Sequence, residues 1–391
     1  MNHQVGADIV LVGGGHAHVE VLRTFAMRPE AGVRLILIAR ELATFYSGML
    51  PGVVAGLYTP EQAHIDLTRL SAATGARLIH AEAVGLDRAR KHVLLADRPP
   101  IAYDVVSIDV GITPALMPIA GAGEHGIPVK PIGRFMSQFD ALLGRCRSSD
   151  GPRRIAVIGG GAGGVELLLS VRARLLKDID LLDRGATAPS FALVTAGEIL
   201  ETHNRRVRDA FRDLLRSRGI ELHEHRRALA VTADAIELEG GTAVKADAVL
   251  VATDARAPDW FAATGLLLAP GGFIAVNNML QTFNDPDVFA AGDCAAMIAT
   301  PREKAGVFAV RSGPPLAENL RRRACGRPPT AWRPQRRHLT LISTGERHAV
   351  ASRAWFKAEG AWVWRLKDFI DRRWMRMYQE VDAMAAGRVR R

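Results

Sequence analysis

Glycine placement sets the chemistry open to this chain. Two segments, IVLVGGGHAHVE (9–20) and IAVIGGGAGGVE (155–166), each set a glycine-rich turn between an apolar run and an apolar helix. In the first, Gly13 permits a tight reversal and Gly15 lets a backbone approach a pyrophosphate. The free N–H groups and positive dipole end of the helix that follows favour phosphate. A single GxGxxG is weak evidence. Two in one chain predict two dinucleotides bound side by side, an arrangement that moves electrons between cofactors. A third element, VFAAGDCA (288–295), carries Gly292 and Asp293 to the end of a short apolar strand, where Asp293 can accept hydrogen bonds from polyol hydroxyls.

The two turns are unequal. The second keeps every key glycine, with Gly159, Gly161, Ala162, Gly163 and Gly164 expected against a nucleotide. The first puts His18 at its third glycine position. His16 and His18 invite a metal-ligand reading, but no acidic or cysteine partner at suitable spacing supports it. The acidic residue expected at the end of the next strand, for ribose hydroxyls, is missing from both units. Ala39 and Arg40 stand there in one and Thr195 and Ala196 in the other. NADH against NADPH stays open, with Arg205 and Arg206 either receivers of a 2′-phosphate or a solvated helix face. Glu166, early in the second helix, either orients a nicotinamide or is an exposed first-turn glutamate favoured by the dipole.

Positioning these residues takes alternating strands and helices. Buried strands are expected at 9–12, 33–39 and 246–252, the first two parallel, further strands at 155–158, 191–195 and 289–291, and short strands at 76–80, 91–95 and 105–109. Helices are expected at 19–27, 135–147 and 165–176, a loop at 40–58, and a Pro/Gly-rich crossover at 114–131. The fold class is α/β, with two Rossmann-like domains on parallel sheets and a small C-terminal domain. Because the GD element follows the second unit, the second domain is expected to be inserted into the first. The boundaries are 1–118 with 268–328 for one, 119–267 for the other and 329–391 for the C-terminal domain.

Composition narrows the classes. Hydrophobic residues make up 48% of 391, which fits extensive buried strands, and no apolar run approaches the roughly 20 residues of a membrane span. Residues 1–8 lack the pattern of a secretory signal, and three scattered cysteines are too few for a disulfide framework, so a cytoplasmic location is expected. Net charge is +10, concentrated in 321–391, where 18 Lys and Arg face 6 Asp and Glu. A basic end suits anionic lipid, acidic partners or nucleic acid, or is a solubilising tail; no nucleic-acid recognition motif accompanies it. From Leu366, the residues Ile370, Trp374, Met377, Val381 and Met384 recur at helical spacing, with Lys367, Asp371, Arg372, Arg373 and Arg376 expected on the polar side. Such a helix either lies peripherally on the inner membrane face or docks on the body or on a second subunit of a homodimer. Docking is the preferred reading, because acidic residues dilute its charge.

Further stretches carry a family likeness: GGGHAHVEVLRTFAMRP (13–29), TFYSGMLPGVVAGLY (44–58), YDVVSIDVGITP (103–114), FAAGDCA (289–295), KAGVFAVRSGPPLAENLR (304–321) and WRLKDFIDRRWM (364–375). They resemble the FAD-dependent pyridine nucleotide-disulfide oxidoreductases, and most of all the flavoprotein module fused ahead of selenide, water dikinase. Type II NADH dehydrogenases and sulfide:quinone oxidoreductases are more distantly similar. The resemblance implies FAD in the split domain and NAD(P)H in the inserted one. It places Gly13, Gly14, Gly15, His16 and Ala17 at the FAD pyrophosphate, Asp293 with Gly292 at the ribityl chain, and 46–51, ending at Pro51, beside the isoalloxazine. Arg40 and Gly111 also fall to the flavin, and a helix begun at Lys304 would face its O2 edge. The cysteine pair of disulfide reductases is absent, since no cysteine precedes Cys146. The implied activity is an FAD-dependent NAD(P)H dehydrogenase with no side chain nominated as acid–base catalyst. Its acceptor is a quinone or, alternatively, a sulfur or selenium species. A non-catalytic redox-sensing partner of selenophosphate synthesis is the other reading.

Overall fold

Strands buried on both faces need no polar alternation, and the apolar runs of this chain pair in parallel on that basis. The computed structural model describes residues 6–114, 119–148, 150–182, 188–253, 255–335 and 337–380. Its first sheet has the order Val288–Ala290, Val105–Ile108, Ala7–Val12, Val33–Ala39, Arg77–His80, all parallel. Ile9, Leu11, Leu35 and Leu37 point to one face, where they pack with the helices His16–Met27 and Gly306–Ala324. Val10, Val12, Ile36 and Ile38 fill the other.

A second parallel sheet repeats the plan, in the order Gly126–Pro128, Ala248–Val251, Arg154–Ile158, Ser190–Val194, Ile220–His223. Ile155 and Val157 pack with Leu168 and Val171 of the helix Ala162–Leu182, while Ala156 and Ile158 face the opposite core. The strand that completes the first sheet therefore comes after the whole second sheet. Beyond both lies an antiparallel sheet, Thr340–Ser343, Ala349–Arg353 and Phe356–Gly360, followed by the helix Ala361–Gln379.

Several expectations need correction. The stretch 40–58 is not a plain loop: Ala43–Phe45 pairs with His64–Asp66, and Leu50–Val54 forms a short helix containing Pro51. The crossover region holds the edge strand Gly126–Pro128 of the second sheet, and residues 115–118 within it lie outside those described. The helix expected from Lys304 begins at Gly306. Arg205–Ser217 is a further helix, with Val207, Phe211 and Leu215 buried at four-residue spacing and its arginines on the outer side.

The C-terminal helix keeps the expected faces at Trp374, which is buried, and at Arg372, Arg373 and Arg376, which are exposed, but reverses them at Lys367, Ile370 and Asp371. Asp371 is 4% exposed and Lys367 is largely covered, whereas Phe369 and Ile370 stand in solvent. Its inward face is Val363, Asp371, Trp374, Met375 and Tyr378. The helix docks on the body because partners distant in sequence receive its charges. Val381 and Met384 lie outside the described residues. Among the described residues no helix is long and apolar enough to cross a membrane.

Candidate functional site

Both glycine turns sit at the carboxyl ends of their sheets, where neighbouring strands lead their crossovers to opposite sides and ligands bind in such folds. At the second turn, Gly159 has φ +131°, and a Cβ there would come 2.3 Å from the Ala252 carbonyl oxygen. Gly164 is pressed against the turn itself: a Cβ would lie 2.0 Å from the oxygen of Gly159. Only glycine fits either place. On the other side, nothing lies within 4 Å of the Cβ position of Gly161 or Gly163. Ala162 opens the helix there, so its first turn faces open space.

The first turn repeats the first half of this geometry. Gly13 has φ +94°, and its Cβ position is 2.3 Å from the carbonyl oxygen of Asp109, the residue structurally equivalent to Ala252. His18 replaces the third glycine and is fully buried. Its Nδ1 lies 2.7 Å from the Gly13 oxygen and its Nε2 2.8 Å from Ser107 Oγ. Burial lowers its pKa to about 4, so the ring is neutral, donates from Nδ1 and accepts from Ser107. Gly14 is backed by Leu67.

The open side differs. Where Gly161 faces space, the Cβ position of Gly15 is 2.3 Å from the Asp109 carboxylate. That carboxylate accepts the N–H of Ala17 at 2.9 Å and of His18 at 3.2 Å, as an N-cap side chain would. Asp109 is 2% exposed. Burial pushes its pKa up to about 7, helped by Asp293 and opposed by the two amide bonds.

Gly292 and Asp293 follow the adjacent strand. Gly292 takes φ +67° with its Cβ position 2.1 Å from Asp109 Oδ1. Asp293 pairs with Lys130 at 3.0 Å. Beside it lies a cavity of about 470 Å³, of small-ligand size, lined by Phe273, Asp293, Arg302, Lys304, Phe308 and Trp332 among others. Lys304 sits 3.9 Å over the Phe273 ring and also donates to the Ala295 carbonyl. Gly111, at φ +76°, has open space around it. Arg40 is held outside, half exposed between Glu41 and Glu82. Arg205 and Arg206 are exposed, and Arg205 pairs with Asp209.

The C-terminal helix covers the first turn. Trp374 lies 4.2 Å from the Tyr46 ring and 5.7 Å from that of His16, and its buried indole N–H has no partner. Ser47 N–H approaches His16 Nε2 at 3.4 Å, and burial lowers the pKa of His16 to about 4 against the pull of Asp293. Tyr46 donates to Asp371 at 3.1 Å and Tyr58 to Asp368 at 2.7 Å. Lys367 bonds Asp371 at 2.8 Å and the Gly48 carbonyl at 2.6 Å. Burial opposes its charge, but Asp371 and Glu166 outweigh that and raise its pKa.

Glu166 is neither free nor exposed. It accepts the N–H of Ser343 at 2.6 Å, and burial lifts its pKa to about 7 against the field of Lys367. The glycines of each turn, Ala17, Asp293 and His16 are thus gathered at sheet ends, whereas Arg40 points away. Sequence reasoning missed Asp109, Lys130, Lys367, Asp371 and Trp374 as members of this region. Only Asp109 had a local signal, an acid at the end of the apolar run VVSI. The cysteines are unpaired, with Cys146 and Cys294 buried and Cys325 exposed. Burial raises the Cys294 thiol far above its usual range, which disfavours the thiolate.

Comparison with known proteins agrees with this geometry. Putidaredoxin reductase from Pseudomonas putida is 26% identical over 296 residues, 74% of this chain and 67% of that protein. The fold is similar to that of the sulfide:quinone oxidoreductase from Aquifex aeolicus, with TM-score 0.79 and 17% identity over 97% of this chain and 92% of that one. NDH2 from Plasmodium falciparum, solved with NADH, gives TM-score 0.78 and 13% identity, covering 94% and 97%. The sequence signature described as pyridine nucleotide-disulphide oxidoreductase matches residues 7–323. By that match the chain belongs to the pyridine nucleotide-disulphide oxidoreductase family.

Proposed function

We propose that this chain is an FAD-dependent NAD(P)H dehydrogenase that passes electrons to a quinone-like acceptor. The observation that carries it is the pair of glycine turns on parallel sheets whose four strands around the turn follow the same order, with Asp293 beside the first. The residues present fit two dinucleotides. Gly161 and Gly163 leave an open approach to helix amides, a cavity adjoins Asp293, and a buried indole donor lies unpaired beside Tyr46.

FAD bound there would supply the two-electron redox chemistry that links a nicotinamide to a second substrate. Gly161, Ala162 and Gly163 would hold the pyrophosphate of NAD(P)H against the dipole end of their helix. Gly13 to Ala17 would do the same for FAD, and Asp293, fixed by Lys130, would orient the polyol hydroxyls. Tyr46, His16 and Trp374 exclude water from the side that the C-terminal helix covers. Glu166 and Asp371, whose pKa values burial raises, and Lys367, whose pKa their charges raise, are groups in that layer able to hold a proton.

A quinone is favoured by the outward face of the C-terminal helix. Trp362, Leu366, Phe369 and Ile370 are 37–57% exposed, and the exposed Arg365, Arg372, Arg373 and Arg376 lie on the same helix. Apolar side chains rimmed by arginine suit the surface of a membrane, where quinones reside. The sulfide:quinone oxidoreductase of similar fold is a quinone enzyme by name. The resemblance of GGGHAH and YSGMLPG to the module fused to selenide, water dikinase supports a sulfur or selenium acceptor instead. Reoxidation of the reduced protein by a soluble quinone, and not by polysulfide or selenite, is the expected result; the reverse would replace the acceptor. Flavin-loaded protein that turns over with none of these would favour the redox-sensing alternative.

A further inference from the structure

Asp109 has no counterpart at the second turn. The two turns superimpose in logic, residue for residue: Gly13 with Gly159, Gly15 with Gly161, Asp109 with Ala252. Ala252 presents a methyl group, and the space beside Gly161 stays open. Asp109 presents a carboxylate, which fills the space beside Gly15 and takes the N–H groups of Ala17 and His18. Those amides are the donors that a helix N-terminus offers to a phosphate.

We propose that Asp109 is a built-in anion competitor at the first turn, so that FAD binds there with uptake of a proton by Asp109. This rests on the flavin reading above. A pyrophosphate and an ionised carboxylate cannot share two N–H donors inside a buried site without strong repulsion. A protonated Asp109 gives up its charge, releases the amides and can itself donate to a phosphate oxygen.

The surroundings keep this proton within reach of physiological pH. Burial lifts the pKa of Asp109 to about 7, and the neighbouring Asp293 adds to the rise. Of the other groups facing it, His16 and His18 are neutral above about pH 4. The Cys294 thiol stays protonated, Lys130 is committed to Asp293, and Lys304 lies over Phe273. Nearby cations are thus engaged elsewhere, and bound pyrophosphate would raise the Asp109 pKa further.

The sign follows from linkage: a ligand that binds the protonated form is weakened as pH rises above the free-state pKa. FAD affinity is expected to fall roughly tenfold per pH unit between pH 7 and pH 9 and to level off below pH 6. The test measures FAD binding to the flavin-stripped full chain by fluorescence quenching across that range. Calorimetry in two buffers of different ionisation enthalpy counts the protons taken up. Asp109→Asn and Asp109→Ala should bind FAD at pH 8 at least tenfold more tightly than the wild type, with no slope and no proton uptake. NAD(P)H binding to the second turn, unchanged in both, serves as the folding control. A flat wild-type profile with FAD bound, or loss of FAD binding in both variants with the control intact, would overturn the competitor role and leave the flavin reading standing. Failure of wild type and variants alike to bind FAD at any pH would remove both.

Discussion

The two glycine turns share three leading glycines and the order of the four strands around them, and two of their differences decide what each can hold. In the second, Gly164 lets the helix lie against the turn and Ala252 leaves the phosphate side open. In the first, His18 fills the space of the third glycine with two hydrogen bonds, and Asp109 closes the phosphate side. A third glycine is therefore one solution to helix–strand packing, not a requirement. His18 substitutes hydrogen bonding for close approach, at the expense of burying an imidazole that must stay neutral. The second difference concerns the ligand: one turn is open to an anion, and the other holds an anion of its own.

The comparison predicts its largest effect at Gly164. Gly164→Ala puts a methyl group 2.0 Å from a backbone oxygen that cannot yield. It should cost about 3 kcal/mol or more and weaken NAD(P)H binding while FAD binding persists. Chemical denaturation followed by separate fluorescence titrations of the two nucleotides checks this. Equal loss of both would show that the turns are not independent.

Trp374→Ala comes next, because that ring closes the aromatic cover over His16 and Tyr46. A loss of about 3 kcal/mol is expected from cavity formation, with greater solvent access to the flavin than to bound NAD(P)H. Quenching of each by iodide would separate them.

Glu166, on the helix that follows the second turn, is another carboxyl group whose pKa burial lifts to about 7. For a carboxylate whose folded pKa is raised, the folded state keeps a proton that the unfolded state loses. Stability is therefore highest below about pH 4 and declines as pH rises toward 7, by up to about 1.4 kcal/mol per pH unit for each group. Glu166→Gln should flatten that decline, as measured by urea melts at pH 5 and pH 7, without changing the pH dependence of FAD binding. If it did change that dependence, the proton assigned to Asp109 would belong to the second turn.

The smallest expected effect on stability is at Phe369, which is 55% exposed. Phe369→Ser should alter stability by no more than about 0.5 kcal/mol. It should still reduce turnover with a quinone held in anionic vesicles, and leave turnover with a water-soluble quinone unchanged.

The parts of this structure that were legible in the sequence are the locally encoded ones. IVLV, VRLILIA, IAVI and AVLV are runs that only buried parallel strands tolerate, and the glycines between strand and helix declare their turns. The GD element was legible for the same reason. The C-terminal helix was read with its polar side outward, because Lys367 and Asp371 look solvated until their partners are known. Those partners, Tyr46 and the Gly48 carbonyl, lie more than 300 residues away. Asp109 was read only as the last residue of the strand 105–109. Its position against Gly15 and Gly292 exists only once three segments, from residues 15, 109 and 292, meet. Lys130 pairs with Asp293 across 163 residues and had no local signal.

The central claim is that the two turns hold a flavin and its reductant in one chain. Anaerobic titration of the purified, FAD-loaded protein with NADH and with NADPH, followed by flavin absorbance, tests it most directly. One FAD per chain and complete bleaching by about one equivalent of at least one nicotinamide are expected, with no charge-transfer band from a thiolate, since Cys294 is buried and its thiol is pushed far above its usual range. A flavin that neither nucleotide bleaches, or a chain that binds nicotinamide but no FAD, would contradict it.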